Sequence, residues 1–262
     1  MLRFLMFMFA ALVALGSTAG HAARVTPMAI DLTPSGRNSI ARIEVTNGEA
    51  RDLPVEIRLF RGTISEQGQL SLEPADDKFV AFPPQVVIPA NGQQIFRIQY
   101  IADGPMTQSE VYYASISQLP VAVNPNVSRI EVLMRFNVLV NVIPDGSKAD
   151  PQVVSVRVTD REIEAPPLAP AAGAPPAPRM VMANGIEVRI VNRGTRYFAA
   201  GRSDWTIRGT DETGAAFSEK FTAARIGDSI GMGVVAPGQS RIFFFPLERR
   251  LRDGTVSVSF AQ

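Results

Sequence analysis

The chain contains no cysteine, a single histidine and a single tryptophan, and only 19% of its 262 residues are charged. Without cysteine there can be no disulfide, so stability must come from packed cores. The histidine, His21, lies within a leader-like segment. That segment has one charge, Arg3, an apolar run from Phe4 to Leu15, and the small residues Gly16 to Gly20 ahead of Ala22. This is the pattern of a secretory signal peptide over 1–22. The run falls short of the roughly 18–20 apolar residues a membrane span requires, and no later stretch reaches that length. The expected product is therefore an exported, soluble protein, with no membrane insertion and with neither His nor Cys after cleavage. Ser-His-Asp and Cys-His catalysis and His/Cys zinc sites are then excluded, so an enzyme is not expected, and neither a metal nor another cofactor.

Charge of either sign is also scarce. Once Arg3 is removed from the 26 basic residues, 25 remain against 25 acidic ones. A neutral surface argues against nucleic acid or anionic lipid as the main partner. No glycine-rich loop follows a strand and opens a helix, so nucleotide binding has no support. The adjacent carboxylates Asp76 and Asp77 read as a solvated turn.

What the chain does have is strand pattern. Ile40–Val45, Val55–Leu59, Ile95–Tyr100 and Tyr112–Ser117 alternate apolar and polar residues between turns such as Thr46-Asn47-Gly48 and Pro89-Ala90-Asn91-Gly92. No stretch shows a sustained helical period capped at both ends. The expectation is an all-β protein built from sandwiches. Trp205 and Phe243-Phe244-Phe245 read as buried, and Asp211-Glu212-Thr213-Gly214 reads as a hairpin turn.

A weak internal echo suggests two such units. Ile43–Gly48 is matched by Val188–Gly194, and Pro89–Phe96 by Pro237–Phe243. The asparagine-to-glutamine separations are close, Asn47 to Gln93 against Asn192 to Gln239. The boundary is expected near Pro144-Asp145-Gly146-Ser147, giving units over 23–146 and 147–262. The second holds a Pro/Ala-rich insertion at 165–178, with six prolines between Pro166 and Pro178. Such a composition cannot build a core.

One segment stands apart. Arg129–Ile143 forms a strand pattern of 15 residues, against the usual five or six. Ile130, Val132, Met134, Phe136, Val138, Val140 and Val142 share one face; Glu131, Leu133, Arg135, Asn137, Leu139 and Asn141 share the other. Extended at roughly 3.3 Å per residue it would exceed what a sandwich of this size needs. Part of its apolar face is expected to project and to be lent to a partner by strand addition. Ile130, Val132, Met134 and Phe136 together would supply roughly 6–12 kcal/mol gross.

Together with Lys78–Ile98, Ser109–Pro120 and the C-terminal Val191–Gly194 and Ala236–Phe243, this strand makes the mature chain resemble the periplasmic pilus-assembly chaperones of the chaperone–usher pathways. The resemblance implies two immunoglobulin-like β-sandwich domains set at an angle. It further implies a protein that caps pilin subunits lacking their last strand and delivers them to an outer-membrane usher. Counting back from Pro144 places the donor residues at Ile130, Val132 and Met134, with Phe136 as a fourth, and Val123–Val127 at the preceding loop. The family's basic carboxylate anchors fall on Met28 or Ala29 and on Leu139, none of them basic. The interdomain Arg is Ile143 here, with its acidic partner matching Glu110. The pattern is closer to the divergent, archaic branch. Arg97 and Arg135 are the candidate anchors for a subunit's terminal carboxylate, Arg97 the first of them. Self-association of the free protein stays open, as does an exported Ig-like structural or adhesive binding protein.

Overall fold

In the computed structural model, residues 23–101, 104–120, 132–165 and 179–261 are described. The first half of the chain runs through β1 (Arg24–Thr26), β2 (Ala29–Leu32), β3 (Ile40–Thr46), β4 (Leu53–Ile64), β5 (Leu70–Pro74), β6 (Phe79–Phe82), β7 (Gln85–Ile88), β8 (Gln93–Tyr100), β9 (Glu110–Gln118) and β10 (Arg135–Val142). Then come β11 (Pro151–Glu164), β12 (Met180–Asn192), β13 (Phe198–Ala199), β14 (Asp204–Thr210), β15 (Ala216–Phe221), α1 (Ala223–Ile230), β16 (Val234–Val235), β17 (Ser240–Pro246) and β18 (Ser257–Ala261).

The N-terminal strands make two sheets, β1-β3-β8-β6 and β2-β10-β9-β4-β5, with β7 also on β4. Alternation explains the arrangement. Ile43 and Val45 of β3, Phe96 and Ile98 of β8, and Ile57 and Leu59 of β4 point inward and are buried, while their neighbours face out. The C-terminal strands form β11-β12-β17, β15-β14-β18 and the short pair β13-β16. They enclose a second core around Trp205, Ile186, Ile190 and Phe245. Trp205 donates its indole N–H to the Ala200 carbonyl at 3.0 Å, as a buried indole must. Within Phe243–Phe245, Phe243 and Phe245 enter this core, whereas Phe244 lies on the other face under the Arg161 guanidinium. Asp211–Gly214 does form the turn between β14 and β15, its aspartate accepting from the backbone of Thr213 and Ala215.

Strand pattern alone gave no sign of α1. Its eight residues contain a glycine and show only Ile226 and Ile230 as an apolar pair, too short a segment to display a helical period. Its start is fixed by Thr222, whose hydroxyl accepts from the Arg225 N–H, and by Asp204, which accepts from the Ala223 N–H.

The internal echo has a physical basis. Asn47 follows β3 and is fully buried; its Nδ2 donates to the carbonyls of Arg51, Ile88 and Pro89, and its Oδ1 accepts from Glu49 N–H. Asn192 ends β12, is equally buried, donates to the carbonyls of Arg196 and Val235, and accepts from Asp150 and Gly194 N–H. Each side chain closes a corner by bonding one carbonyl four residues on and another more than forty residues on.

The two cores meet along a seam made by Val111, Leu139, Tyr197 and Val234. At one end Asp31 accepts from the Tyr197 hydroxyl (2.9 Å), Arg196 (3.1 Å) and Asn141 (2.9 Å). Ser109 adds a reciprocal pair, donating its N–H to the Thr195 carbonyl and accepting from Tyr197 N–H, both at 2.7 Å.

Candidate functional site

Strand β10 is where the sheet runs out of neighbours. Its antiparallel partner β9 covers Arg135 to Val142, but the parallel partner β2 covers only Leu139 to Val142, Ala29 facing Leu139. Among the described residues, Arg135–Val138 therefore have a neighbour on one side only. The 15-residue strand expected over Arg129–Ile143 is eight residues long here. Its N-terminal limit has a simple cause: β9 ends at Gln118, and the last contact is the Gln118 N–H on the Met134 carbonyl at 2.9 Å. Val132, Leu133 and Met134 carry no strand pairing, and 129–131 lie outside the described residues.

Burial falls in steps along the shared face. Val142, Val140 and Val138 are fully buried, Phe136 and Met134 are half-buried against the same core, and Val132 is 76% exposed. Ile130 and the Val123–Val127 loop lie outside the described residues. The opposite face of β10 looks toward the C-terminal half. Leu139 is in the seam, Asn141 reaches Asp31, and the carbonyl oxygens of Asn137 and Asn141 side chains are buried without a partner among the described residues. Arg135 is exposed at the strand's start, its Nε donating to Ser117 Oγ at 3.1 Å.

The two candidate cations are not brought together. Arg97 sits on β8, in the other sheet, between the core residues Phe96 and Ile98, so its side chain points away from the core and from β10. There it donates to Gln99 and lies opposite Phe82, which is 70% exposed, beside the exposed Val80 and Ile95. Arg135 does belong to the strand.

Sequence reasoning passed over a third cation. Arg241 is half-buried where the halves meet, stacked 4.8 Å from the Phe243 ring centroid, donating to the Val234 carbonyl at 2.8 Å. It has no carboxylate partner among the described residues, and its Nε is buried without an acceptor. Burial lowers its pKa, and burial likewise raises that of Tyr113, which lies nearby. Only its place one residue past Ser240, as the one charged residue of an otherwise uncharged strand, could flag it.

The acid expected to bridge the domains, Glu110, is held inside the N-terminal half. It accepts from Arg61 at 2.9 Å and from the Tyr112 hydroxyl in a short hydrogen bond, and burial first, then this bond, raises the Tyr112 pKa. No group of His, Cys, Asp and Glu suited to a metal occurs among the described residues. No helix among them is long and apolar enough to cross a membrane.

Two sandwiches, a strand shared unevenly by its neighbours and a seam between the cores define the class: an all-β protein of two immunoglobulin-like domains. Among solved structures the chain is similar to the class 5 fimbriae chaperone CfaA, at 12% identity over 91% of this chain and 98% of that one, with a TM-score of 0.50. Lower scores link it to the CsuC–CsuE chaperone–tip adhesion subunit complex of archaic chaperone-usher Csu pili from Acinetobacter baumannii (12% identity, 87% and 91% of the two chains, 0.48) and to the Pseudomonas aeruginosa CupB2 chaperone (14%, 90% and 98%, 0.46). No family model and no curated protein matches the sequence. The likeness to CfaA is one of fold: the chain has the two-domain architecture of a fimbrial chaperone.

Proposed function

We propose that this chain is a periplasmic chaperone of pilus assembly that holds pilin subunits lacking their last strand and passes them to an outer-membrane usher. The observation that carries this reading is the one-sided edge of β10 together with the outward grading of its apolar face. An unpaired strand edge supplies backbone donors and acceptors, and alternate side chains supply pocket-filling groups, which together are the requirements of strand addition. Val132 and Met134, with Ile130 before them, are the donor residues. Phe136 contributes less, because it already packs against its own core.

The subunit's terminal carboxylate requires a cation or several donors. Arg135 is better placed for this than Arg97, and Arg241 is the cation already shielded from water in the seam. The exposed Val80, Phe82 and Ile95 around Arg97, on the opposite side of the sandwich, leave a face free for the delivery partner while a subunit occupies β10.

The test is co-expression of the full chain with a pilin subunit that lacks its last strand. Val132→Asp and Met134→Glu are expected to leave the chaperone folded and to abolish co-purification. Undiminished recovery of the subunit would overturn the reading in favour of a surface protein that binds through its loops.

A further inference from the structure

The hairpin formed by β4 and β5 outgrows its sheet. Pairing of β4 with β9 stops at Arg61, and Gly62–Ile64 pair with β5 alone, so the hairpin continues as a two-stranded arm toward the C-terminal half. Its tip is tightly built. Gly68 has φ +90, its N–H donates to the Ser65 carbonyl at 2.9 Å, and the Gln69 N–H donates to the Ser65 hydroxyl at 3.0 Å. At that tip Glu66 meets β17 and β12. Its Oε1 accepts from Arg189 Nε and from the Ser240 hydroxyl, both at 2.6 Å, and its carbonyl accepts from Ile242 N–H at 2.8 Å. The last bond caps the edge of β17, whose one strand partner among the described residues is β12.

The tip also lies on Arg241. A Cβ at Gly68 would come within 2.8 Å of Arg241 Nη2, and a Cβ at Gly62 would strike the Tyr113 ring at 2.4 Å. Both positions have been kept clear so that Tyr113 crosses the arm and the tip reaches the guanidinium. Neither core includes Glu66, and the covalent path between the halves is the single turn-containing stretch from Ile143 to Asp150. Asp31 and Ser109 hold Tyr197 and its neighbours at the seam, and the Glu66 contacts are a separate polar attachment between the halves.

We propose that the β4–β5 tip is a positioning clasp, in which Glu66, through Arg189, Ser240 and Ile242, holds the C-terminal half at the orientation to the N-terminal sandwich that capture of a subunit on β10 requires. This rests on the proposed chaperone function. Glu66 is a positioning residue: it acts on the subunit through the orientation of the other half.

Because the chain has no native cysteine, Val80→Cys and Val154→Cys provide a unique label pair with one site in each half. The full-length labelled chain is examined by electron–electron distance measurement and by co-purification of a co-expressed, strand-deleted pilin subunit. Glu66→Ala is expected to broaden the distance distribution. If the competent orientation falls to a tenth of the population, capture drops about tenfold. The charge-swapped double variant Glu66→Arg with Arg189→Glu is expected to restore both, while each single substitution does not. A purely stabilising role would leave the distribution narrow and capture unchanged; either result in Glu66→Ala overturns the clasp. Val132→Asp, run in parallel, separates the two ideas. If it still captures subunit, strand donation fails; if it does not while Glu66→Ala captures normally, the clasp alone fails.

Discussion

The two halves of the molecule share a corner and differ in what they do with their terminal hydrophobics. Asn47 and Asn192 close equivalent turns with equivalent bonds. In the C-terminal half, Phe243 and Phe245 of β17 are sealed into the core, and the strand's open edge is capped by Glu66. In the N-terminal half, β10 buries Val138, Val140 and Val142, then loses first β2 and then β9, so that Val132 ends in solvent. The edge of β17 is met by the other half, whereas among the described residues Arg135–Val138 of β10 have a neighbour on one side only. Under the proposed function the same architecture serves as a frame or as a donor, depending on whether one strand's neighbours stop early.

The sharpest way to break this comparison is to put a charge at matched hydrophobic positions. Phe245→Asp places an unpaired carboxylate in a fully buried site and should prevent folding of the C-terminal half, seen as loss of its cooperative urea transition. Val132→Asp, at an exposed position, should change stability by no more than about 0.5 kcal/mol and yet abolish subunit capture. The corner asparagines test the shared element. Asn47→Ala and Asn192→Ala each remove four side-chain hydrogen bonds from a buried corner. At about 1 kcal/mol net per bond each loss should be similar, roughly 3–4 kcal/mol in urea denaturation, and confined to its own half.

A smaller effect is expected from Arg241→Met, which keeps the packing on Phe243 and removes a cation whose charge is disfavoured by burial. Stability should hold or rise slightly, because a partly desolvated charge with no carboxylate partner among the described residues is replaced by an apolar chain. Subunit capture should nevertheless weaken. The mildest perturbation is pH. Burial first, then the neighbouring Asp31 carboxylate, push the Tyr197 phenol up to about 12 from its ordinary 10.0. The fold favours the protonated phenol, so the stability from its bond to Asp31 is complete below about pH 10 and is lost as pH rises through about 12. A melting-temperature series across that range should show a decline at the seam that Tyr197→Phe removes.

Much of the fold was legible because alternation is a local signal. β3, β8 and the Phe243–Phe245 strand can be read directly, and the asparagine echo points to a duplicated architecture. The proposed donor strand is only half legible. Periodicity identified its faces, but it does not say where the neighbouring strands end, and those ends decide that β10 starts at Arg135. The cations show the same limit. Arg97 was attractive from its motif, yet the side on which it lies is set by Phe96 and Ile98 facing inward. Glu66 matters through partners more than a hundred residues away, and Arg241 through the cover that Gly68 brings from the other half, which no local pattern encodes.

The first residue of β2 has a consequence for any guest that threads along the vacant side of β10. Leu139 already gives its backbone N–H to the Met28 carbonyl, and Ala29 fills the next place in the ladder. An incoming segment can advance as far as Val138 and then meets an end-stop. Since a slip of one residue would turn every side chain to the wrong face, under the proposed strand addition this barrier would work as a ruler: the guest's alignment would be set by where its host's own ribbon begins.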